Sequence, residues 1–424
     1  MSSRFRYVVV GGGVAAAAAA AGLRETGEDG QIALICAEEL LPYERPELSK
    51  EFLQAQDLAA PTLVHAPAWY ADRAVEVLLG ERVTSVDLTE RAVALRSGSQ
   101  VFFDRLILAT GARARRSQAL TGDGVHYIRE LNDAARLRDA MAAASHTVIL
   151  GGGFIGSEIA AVLAAAGKRV TIVERRATLM ERAAGPAVGA VLTDVHRAQG
   201  VDVRTGRVIT HTSATGRSVL VRTDKDTVEG DLLIVGGGAQ PNTELAAATG
   251  IVVDDGILVD SRGGTSVPGV WAAGDATRVF HPRYQRHLRA EHRDWAAELG
   301  RVAGNSAAEA GRGGGPAGGA APSSAEFTAV PWYWSDQYQH SIQQAGFLEP
   351  GDRTVLRGSM DDLAFTVFAV RDGQIRGAIA MNRPKDIIAV RRLLFRGHAV
   401  TGEELADESF DLRRLLRAGA VTSG

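Results

Sequence analysis

Two stretches of the chain repeat one pattern of apolar and small residues. Tyr7-Val8-Val9-Val10 and Val148-Ile149-Leu150 are apolar runs of strand length, each followed by a glycine cluster and then by small and apolar residues at helical spacing. The first cluster reads Gly11-Gly12-Gly13-Val14-Ala15-Ala16, the second Gly151-Gly152-Gly153-Phe154-Ile155-Gly156. Each predicts a strand, a glycine turn and a helix. Gly11 and Gly151 permit the tight turn, Gly13 and Gly153 let the backbone approach a pyrophosphate, and Ala16 and Gly156 let the helix pack closely on its strand. Alanine in the third place costs little, because only a small side chain is needed there. Both helix N-termini then face phosphate groups.

The strand after each helix separates the two copies. Val170-Thr171-Ile172-Val173 ends in Glu174, 23 residues after Gly151. A carboxylate there accepts hydrogen bonds from the adenine ribose hydroxyls and repels a 2′-phosphate, so the internal copy prefers NADH. Arg175 and Arg176 follow at once and leave room for NADPH. In the first copy the equivalent position is Cys36, which closes the run Ile32-Ala33-Leu34-Ile35, and the ribose carboxylate falls to Glu38 or Glu39. Two such folds imply two nucleotides, a tightly held FAD on the N-terminal copy and an exchangeable nicotinamide cofactor on the internal one.

The remaining pattern fills in an α/β chain. Residues 70–110 read as a β-hairpin region with strands at 74–79 and 91–95, after which Leu106–Gly111 returns to the core sheet. Leu232–Gly238 is a strand and glycine turn, with Gly237 at its centre; no Gly-Lys-Ser/Thr follows, so it is not a P-loop. Val270–Ala276 is a strand, a glycine turn at Gly274 and an aspartate, Asp275, opening a helix as its N-cap or serving a ligand. Gly311–Ser324 is a flexible Gly, Pro, Ala and Ser connection. Beyond it, strands at 365–370 and 375–380 joined by an Asp372-Gly373 hairpin turn, with helices at about 385–395 and 402–417, predict an α+β domain. The expected class is α/β, with two Rossmann-like dinucleotide-binding domains for FAD and NAD plus a C-terminal α+β domain. The expected boundaries are 1–115 with 246–325 for FAD, 116–245 for NAD(P)H, and 326–424 for the C-terminal domain.

Composition then removes several classes. A net charge of −3 gives no reason to expect a nucleic-acid partner. The alanine run 15–21 is too short to span a bilayer, and no cleavable apolar leader is visible, so a cytoplasmic enzyme with no membrane attachment is expected. One cysteine, Cys36, excludes an intrachain disulfide and therefore the redox-active cysteine pair of a disulfide reductase. His281, His287 and His292 lie on a polar, arginine-rich segment and are expected to be solvated, with no metal site.

Of 47 basic residues only Lys50, Lys168, Lys225 and Lys385 are lysine. Lys50 closes the proline-punctuated loop Leu41-Pro42-Tyr43-Glu44-Arg45-Pro46-Glu47-Leu48-Ser49, where a compact ammonium is evidently wanted and Arg45 adds charge within reach of the first nucleotide fold. That loop, the paired glycine turns, Leu108-Ala109-Thr110-Gly111, Pro241-Asn242, Ala272-Ala273-Gly274-Asp275 and Val330-Pro331-Trp332-Tyr333-Trp334-Ser335-Asp336-Gln337 resemble the FAD-dependent NAD(P)H:ferredoxin reductases of Rieske dioxygenase and cytochrome P450 systems. Monodehydroascorbate reductase and apoptosis-inducing factor look like more distant relatives.

The resemblance implies an enzyme that takes hydride from NADH onto FAD and passes single electrons to a 2Fe-2S ferredoxin serving a monooxygenase or dioxygenase, as a monomer or homodimer. It implies that Ala109, Thr110 and Gly111 close over the flavin, that Asp275 binds its ribityl chain, and that Trp334 packs at its edge. Lys50 would place positive charge near the flavin, with Glu158, expected in the first turn of the internal helix, as its counter-ion. Arginines at 283, 286, 289 and 293, with 391, 392 and 396, are candidates for a basic face toward an acidic ferredoxin, and Arg289–His292 is expected to lie in a helix. Two alternatives remain open: a stand-alone NAD(P)H oxidase or quinone or radical reductase, and an NADH-sensing redox-signalling flavoprotein.

Overall fold

Ser2–Val10 is the spine of a parallel sheet because its apolar residues are covered on both faces. It pairs in parallel with Ile32–Ile35 on one side and with Gln100–Leu108 on the other. Val75–Leu78 extends the sheet beyond Ile32–Ile35, and Val270–Ala272 pairs with the C-terminal half of Gln100–Leu108. The N-terminal half of that long strand carries an antiparallel pair, Ala92–Leu95 and Val83–Asp87. Val75–Leu78 is therefore an edge of the parallel sheet and not the hairpin partner of 91–95, because its alternate residues seal the sheet beside Ile32–Ile35.

This computed structural model describes residues 2–55, 60–117, 120, 122, 124–216, 218–311 and 326–417. The chain forms two compact units, one of residues 1–45, 60–113 and 239–329 and the other of residues 46–59, 114–238 and 330–424. The Gly311–Ser324 connection lies outside the described residues after its first glycine.

In the first unit the alanine-rich helix Val14–Glu25 packs on the helix Arg293–Gly311. The contact is nearly backbone to backbone. A Cβ on Gly300 would lie 2.3 Å from the Ala15 carbonyl oxygen, and one on Gly304 would lie 2.2 Å from that of Ala19. The alanine run is thus the small face of a close helix pair. Arg289–His292 precedes this helix and is not part of it, since Arg289 is drawn aside by ion pairs to Asp255 and Glu291.

The second unit holds a five-stranded parallel sheet in the order Asp202–Arg204, Arg169–Val173, His146–Leu150, Leu232–Val235, Val125–His126. A separate antiparallel sheet orders Trp332–Gln337, His340–Gly346, Gln374–Met381, Ala364–Arg371 and Arg353–Ser359. Asp372 and Gly373 both adopt positive φ, 52° and 69°, as the two-residue hairpin turn demands. The helix Pro384–Leu393 covers one face of this sheet. The helix Glu181–Ala198 packs on the other, through Val188, Leu192 and Val195 against Ile342, Phe365 and Ile379.

The expected helix over 402–417 is broken into Gly402–Ala406 and Arg414–Arg417. The buried Arg357 guanidinium donates to the carbonyls of Leu405, Asp407, Glu408 and Phe410, which fixes the intervening chain in a non-helical path. Among the described residues no helix is long and apolar enough to cross a membrane.

Candidate functional site

The two glycine turns are built alike. Gly11 has φ 148°, and a Cβ on it would lie 2.1 Å from the carbonyl oxygen of Ala109; Gly151 has φ 97°, and its Cβ would lie 2.6 Å from that of Gly236. Each first glycine is therefore required by both conformation and space. Gly13 and Gly153 have nothing within 4 Å of a Cβ and sit at the N-termini of their helices. Open space beside unsatisfied helix N–H groups is the cradle a dinucleotide pyrophosphate needs, so both turns fit their expected nucleotides. Gly156 is obligatory, since its Cβ would lie 2.0 Å from the Gly151 carbonyl oxygen, whereas the buried Ala16 is accommodated. Gly237 lies exposed past the strand Leu232–Val235; it is Gly236, which sequence reasoning missed, that touches the turn.

The acidic groups are held differently. Glu174 accepts from the Gly152 N–H at 2.7 Å and from the Arg176 N–H at 2.7 Å, which fixes its carboxylate at the mouth of the internal turn. Glu38 accepts from the Tyr43 hydroxyl at 2.8 Å and from Arg45 at 2.6 Å, while Glu39 is exposed. Cys36 is buried against Gly12, and burial pushes its thiol up to about 12, so it is inert packing.

Thr110 and Gly111 are clasped by Asn242. The Thr110 hydroxyl donates to the Asn242 carbonyl at 2.6 Å, the Asn242 amide donates back to the Thr110 carbonyl at 2.8 Å, and the Asn242 N–H donates to the Gly111 carbonyl at 2.9 Å. Asp275 is half-buried in the single 3-10 turn Gly274–Ala276, which runs into the strand Thr277–His281 and not into a helix. Gly274 takes φ 76°, and a Cβ there would meet the Ala15 side chain at 2.7 Å.

Lys50, Glu158 and Trp334 come together in the second unit. Leu53, packed with Leu137, Met141, Ile159 and Leu163, anchors the segment that carries Lys50. The Lys50 ammonium lies 3.6 Å from Glu158 and 3.2 Å from Asp336, and 5.8 Å from the centroid of the half-buried Trp334 ring. Glu158 is only 5% exposed and accepts from the hydroxyls of Ser49 at 2.6 Å and Ser335 at 2.7 Å. It lies past the first helical turn, which contains no acidic residue, so these partners and not the helix end hold it. Burial pushes the carboxyl up, and Lys50, Ser49 and Ser335 pull it back toward the ionised form. Ser49, Ser335 and Asp336 were missed in sequence reasoning, although each adjoins a residue singled out there.

Two expectations fail in the first unit. His281 is fully buried, stacked on Trp295 at 5.8 Å and bonded to the Ala329 carbonyl at 3.1 Å, because the arginine-rich segment turns it inward. Arg289 and Arg293 are ion-paired, Arg293 to Glu44 and Asp294, so their charge is committed within the protein.

Known proteins match the chain over nearly its whole length. Residues 5–294 match the family model "Pyridine nucleotide-disulphide oxidoreductase" and residues 332–416 match "Reductase C-terminal". The chain is 37% identical to the ferredoxin–NAD(+) reductase component of the anthranilate 1,2-dioxygenase system of Burkholderia cepacia, over 97% of this chain and 99% of that one. It is 32% identical to putidaredoxin reductase of Pseudomonas putida, over 99% of this chain and 98% of that one. The crystal structure of a covalent putidaredoxin reductase–putidaredoxin complex aligns with a TM-score of 0.89 at 32% identity, covering 99% of each chain. The chain belongs to the pyridine nucleotide-disulphide oxidoreductase family, among its ferredoxin reductases.

Proposed function

We propose that this chain takes reducing equivalents from NADH through FAD and delivers single electrons to a 2Fe-2S ferredoxin that serves a monooxygenase or dioxygenase. The observation that carries the reading is the buried Lys50–Glu158 pair, in which Ser49 and Ser335 hold Glu158, a residue of the helix that opens at the internal glycine turn. When bound, FAD supplies the exchange between a two-electron donor and a one-electron acceptor.

The residues do the rest. Glu158 is the buried counter-charge of the Lys50 ammonium, and Asp336 is its exposed one. The ammonium is then a fixed positive charge available to the reduced cofactor. Trp334 covers the ammonium from one side and limits its access to water. Glu174, aimed by Gly152, is placed to accept from ribose hydroxyls and to repel a 2′-phosphate, which favours NADH. Gly11, Gly13 and Ala16, with Glu38, Arg45, Ala109, Thr110, Gly111, Gly274 and Asp275, serve FAD; Gly151, Gly153 and Gly156, with Gly236 against the turn, serve the nicotinamide nucleotide. A single cysteine, buried, supports a cytoplasmic setting in which no disulfide is called for.

The test is anaerobic stopped-flow mixing of the purified flavoprotein with NADH and then with a 2Fe-2S ferredoxin. Fast flavin bleaching followed by fast ferredoxin reduction is expected, with bleaching slowed at least about tenfold in Lys50→Met. Bleaching without onward transfer to plant-type or bacterial ferredoxins would sink the proposal and favour an oxidase or a redox sensor.

A further inference from the structure

The Lys50–Glu158 pair is the end of a longer chain of buried hydrogen bonds. Behind Ser335 lie Gln337, His196 and Tyr338, contributed by the strand Trp332–Gln337, its following turn and the helix Glu181–Ala198. Gln337 and His196 are both buried. The amide nitrogen of Gln337 lies 3.2 Å from Met180 Sδ and 3.1 Å from Ser335 Oγ, and its amide oxygen lies 3.0 Å from His196 Nε2. The Tyr338 hydroxyl is 2.8 Å from His196 Nδ1.

The direction of every link follows from one atom. A thioether sulfur accepts but cannot donate, so the Gln337 amide must turn its nitrogen toward Met180 and Ser335. Its oxygen then faces His196 Nε2, which must carry the imidazole proton, and Nδ1 is left to accept from the Tyr338 hydroxyl. Ser335 Oγ accepts from Gln337, so its own hydrogen is left for Glu158 Oε1. With the amide reversed, Ser335 would donate to Gln337, and Glu158 would keep Ser49 as its only hydroxyl donor among these residues.

We propose that His196 and Gln337 are positioning residues that fix the Ser335 hydroxyl as a donor to Glu158, so that this carboxylate stays ionised beside Lys50 in the protein interior. Two observations support a built relay. The Tyr338 hydroxyl reaches His196 at 2.8 Å from the two-residue hairpin turn after Gln337, whose geometry itself requires the residue's φ of 56°. Burial also pushes His196 down to about 4, so near neutral pH the imidazole is uncharged and offers the single donor and single acceptor that the chain requires. The charged groups facing Glu158 are Lys50 and Asp336; the relay adds a neutral donor where another cation would disturb their balance.

The inference rests on the Lys50–Glu158 reading above, and the two fail separately. That reading fails if Glu158→Gln is reduced by NADH at the wild-type rate. The relay is tested without turnover, by following the infrared band of the protonated Glu158 carboxyl in the oxidised flavoprotein against pH, assigned by its loss in Glu158→Gln. Ser335→Ala is expected to raise the midpoint by about one pH unit, a tenfold change in the protonation equilibrium, Gln337→Leu by less, because leucine leaves the Ser335 hydroxyl unfixed but offers it no competing acceptor, and the double variant by no more than Ser335→Ala. Tyr338→Phe, which removes one hydroxyl, moves it by less in the same direction. An unmoved midpoint in Gln337→Leu, or shifts that add in the double variant, overturns the proposal. If Gln337→Leu does not fold, an unmoved midpoint in Tyr338→Phe overturns it.

Discussion

The two glycine turns are the same structure with different walls. In each, the first glycine N–H donates to the carbonyl ending the next strand, Gly11 to Ile35 and Gly151 to Val173, both at 2.9 Å. In each, a backbone carbonyl from a third strand end blocks a side chain on that glycine, Ala109 in one and Gly236 in the other. The difference lies where the second glycine meets its neighbours. Gly12 is backed by the uncharged Cys36, whereas Gly152 gives its N–H to the Glu174 carboxylate. The first turn delegates its carboxylate to Glu38, two residues on, where Tyr43 and Arg45 already hold it. A carboxylate fixed by backbone alone keeps acceptor capacity for an exchanging ligand; one enclosed by side chains belongs to a more permanent assembly.

That contrast predicts separable losses. The largest is in Gly11→Ala, whose Cβ meets backbone that cannot move aside: the protein is expected to purify colourless, measured by its visible spectrum against bound-flavin content.

Acid acts next, on the second unit. His196 is neutral when folded, pushed to about 4, while its unfolded value is near 6.5. Between these values the unfolded chain binds the extra proton, so stability is complete above pH 6.5 and falls as pH drops toward 4. The loss is about 3 kcal/mol from this group, and His196→Phe should flatten that part of the pH dependence in denaturant titrations.

Glu174→Ala should raise KM for NADH about tenfold and lower that for NADPH, seen in steady-state rates with each nucleotide. Ala16→Gly should cost only about 1 kcal/mol of thermal stability and leave the flavin bound, since the first turn tolerates either small residue.

Much of this architecture was legible because it depends on short periodic signals. Apolar strand, glycine turn and small-residue helix lie within a few residues of one another, so Gly11, Gly13, Gly151, Gly153 and Gly156 and the strands beside them could be read locally. The partners of Glu158 could not. Ser335 and Gln337 are distant in sequence, and His196 sits on a helix whose other residues read as ordinary amphipathic surface and core. His281 misled for the same reason: its arginine-rich neighbours suggest water, but Trp295 and Phe327, from elsewhere in the chain, enclose it. The resemblance also placed Arg289–His292 in a helix, where the ion pair of Arg289 to Asp255, distant in sequence, holds it outside.

The most direct test of two turns serving two nucleotides is an anaerobic NADH titration of Gly156→Ala beside the wild type, with flavin absorbance as readout. A Cβ on Gly156 obstructs only the internal turn. Both proteins should be yellow, the wild type bleaching as NADH is added and Gly156→Ala requiring about a hundredfold more. A variant that bleaches like the wild type, or one that has lost its flavin, would contradict the assignment.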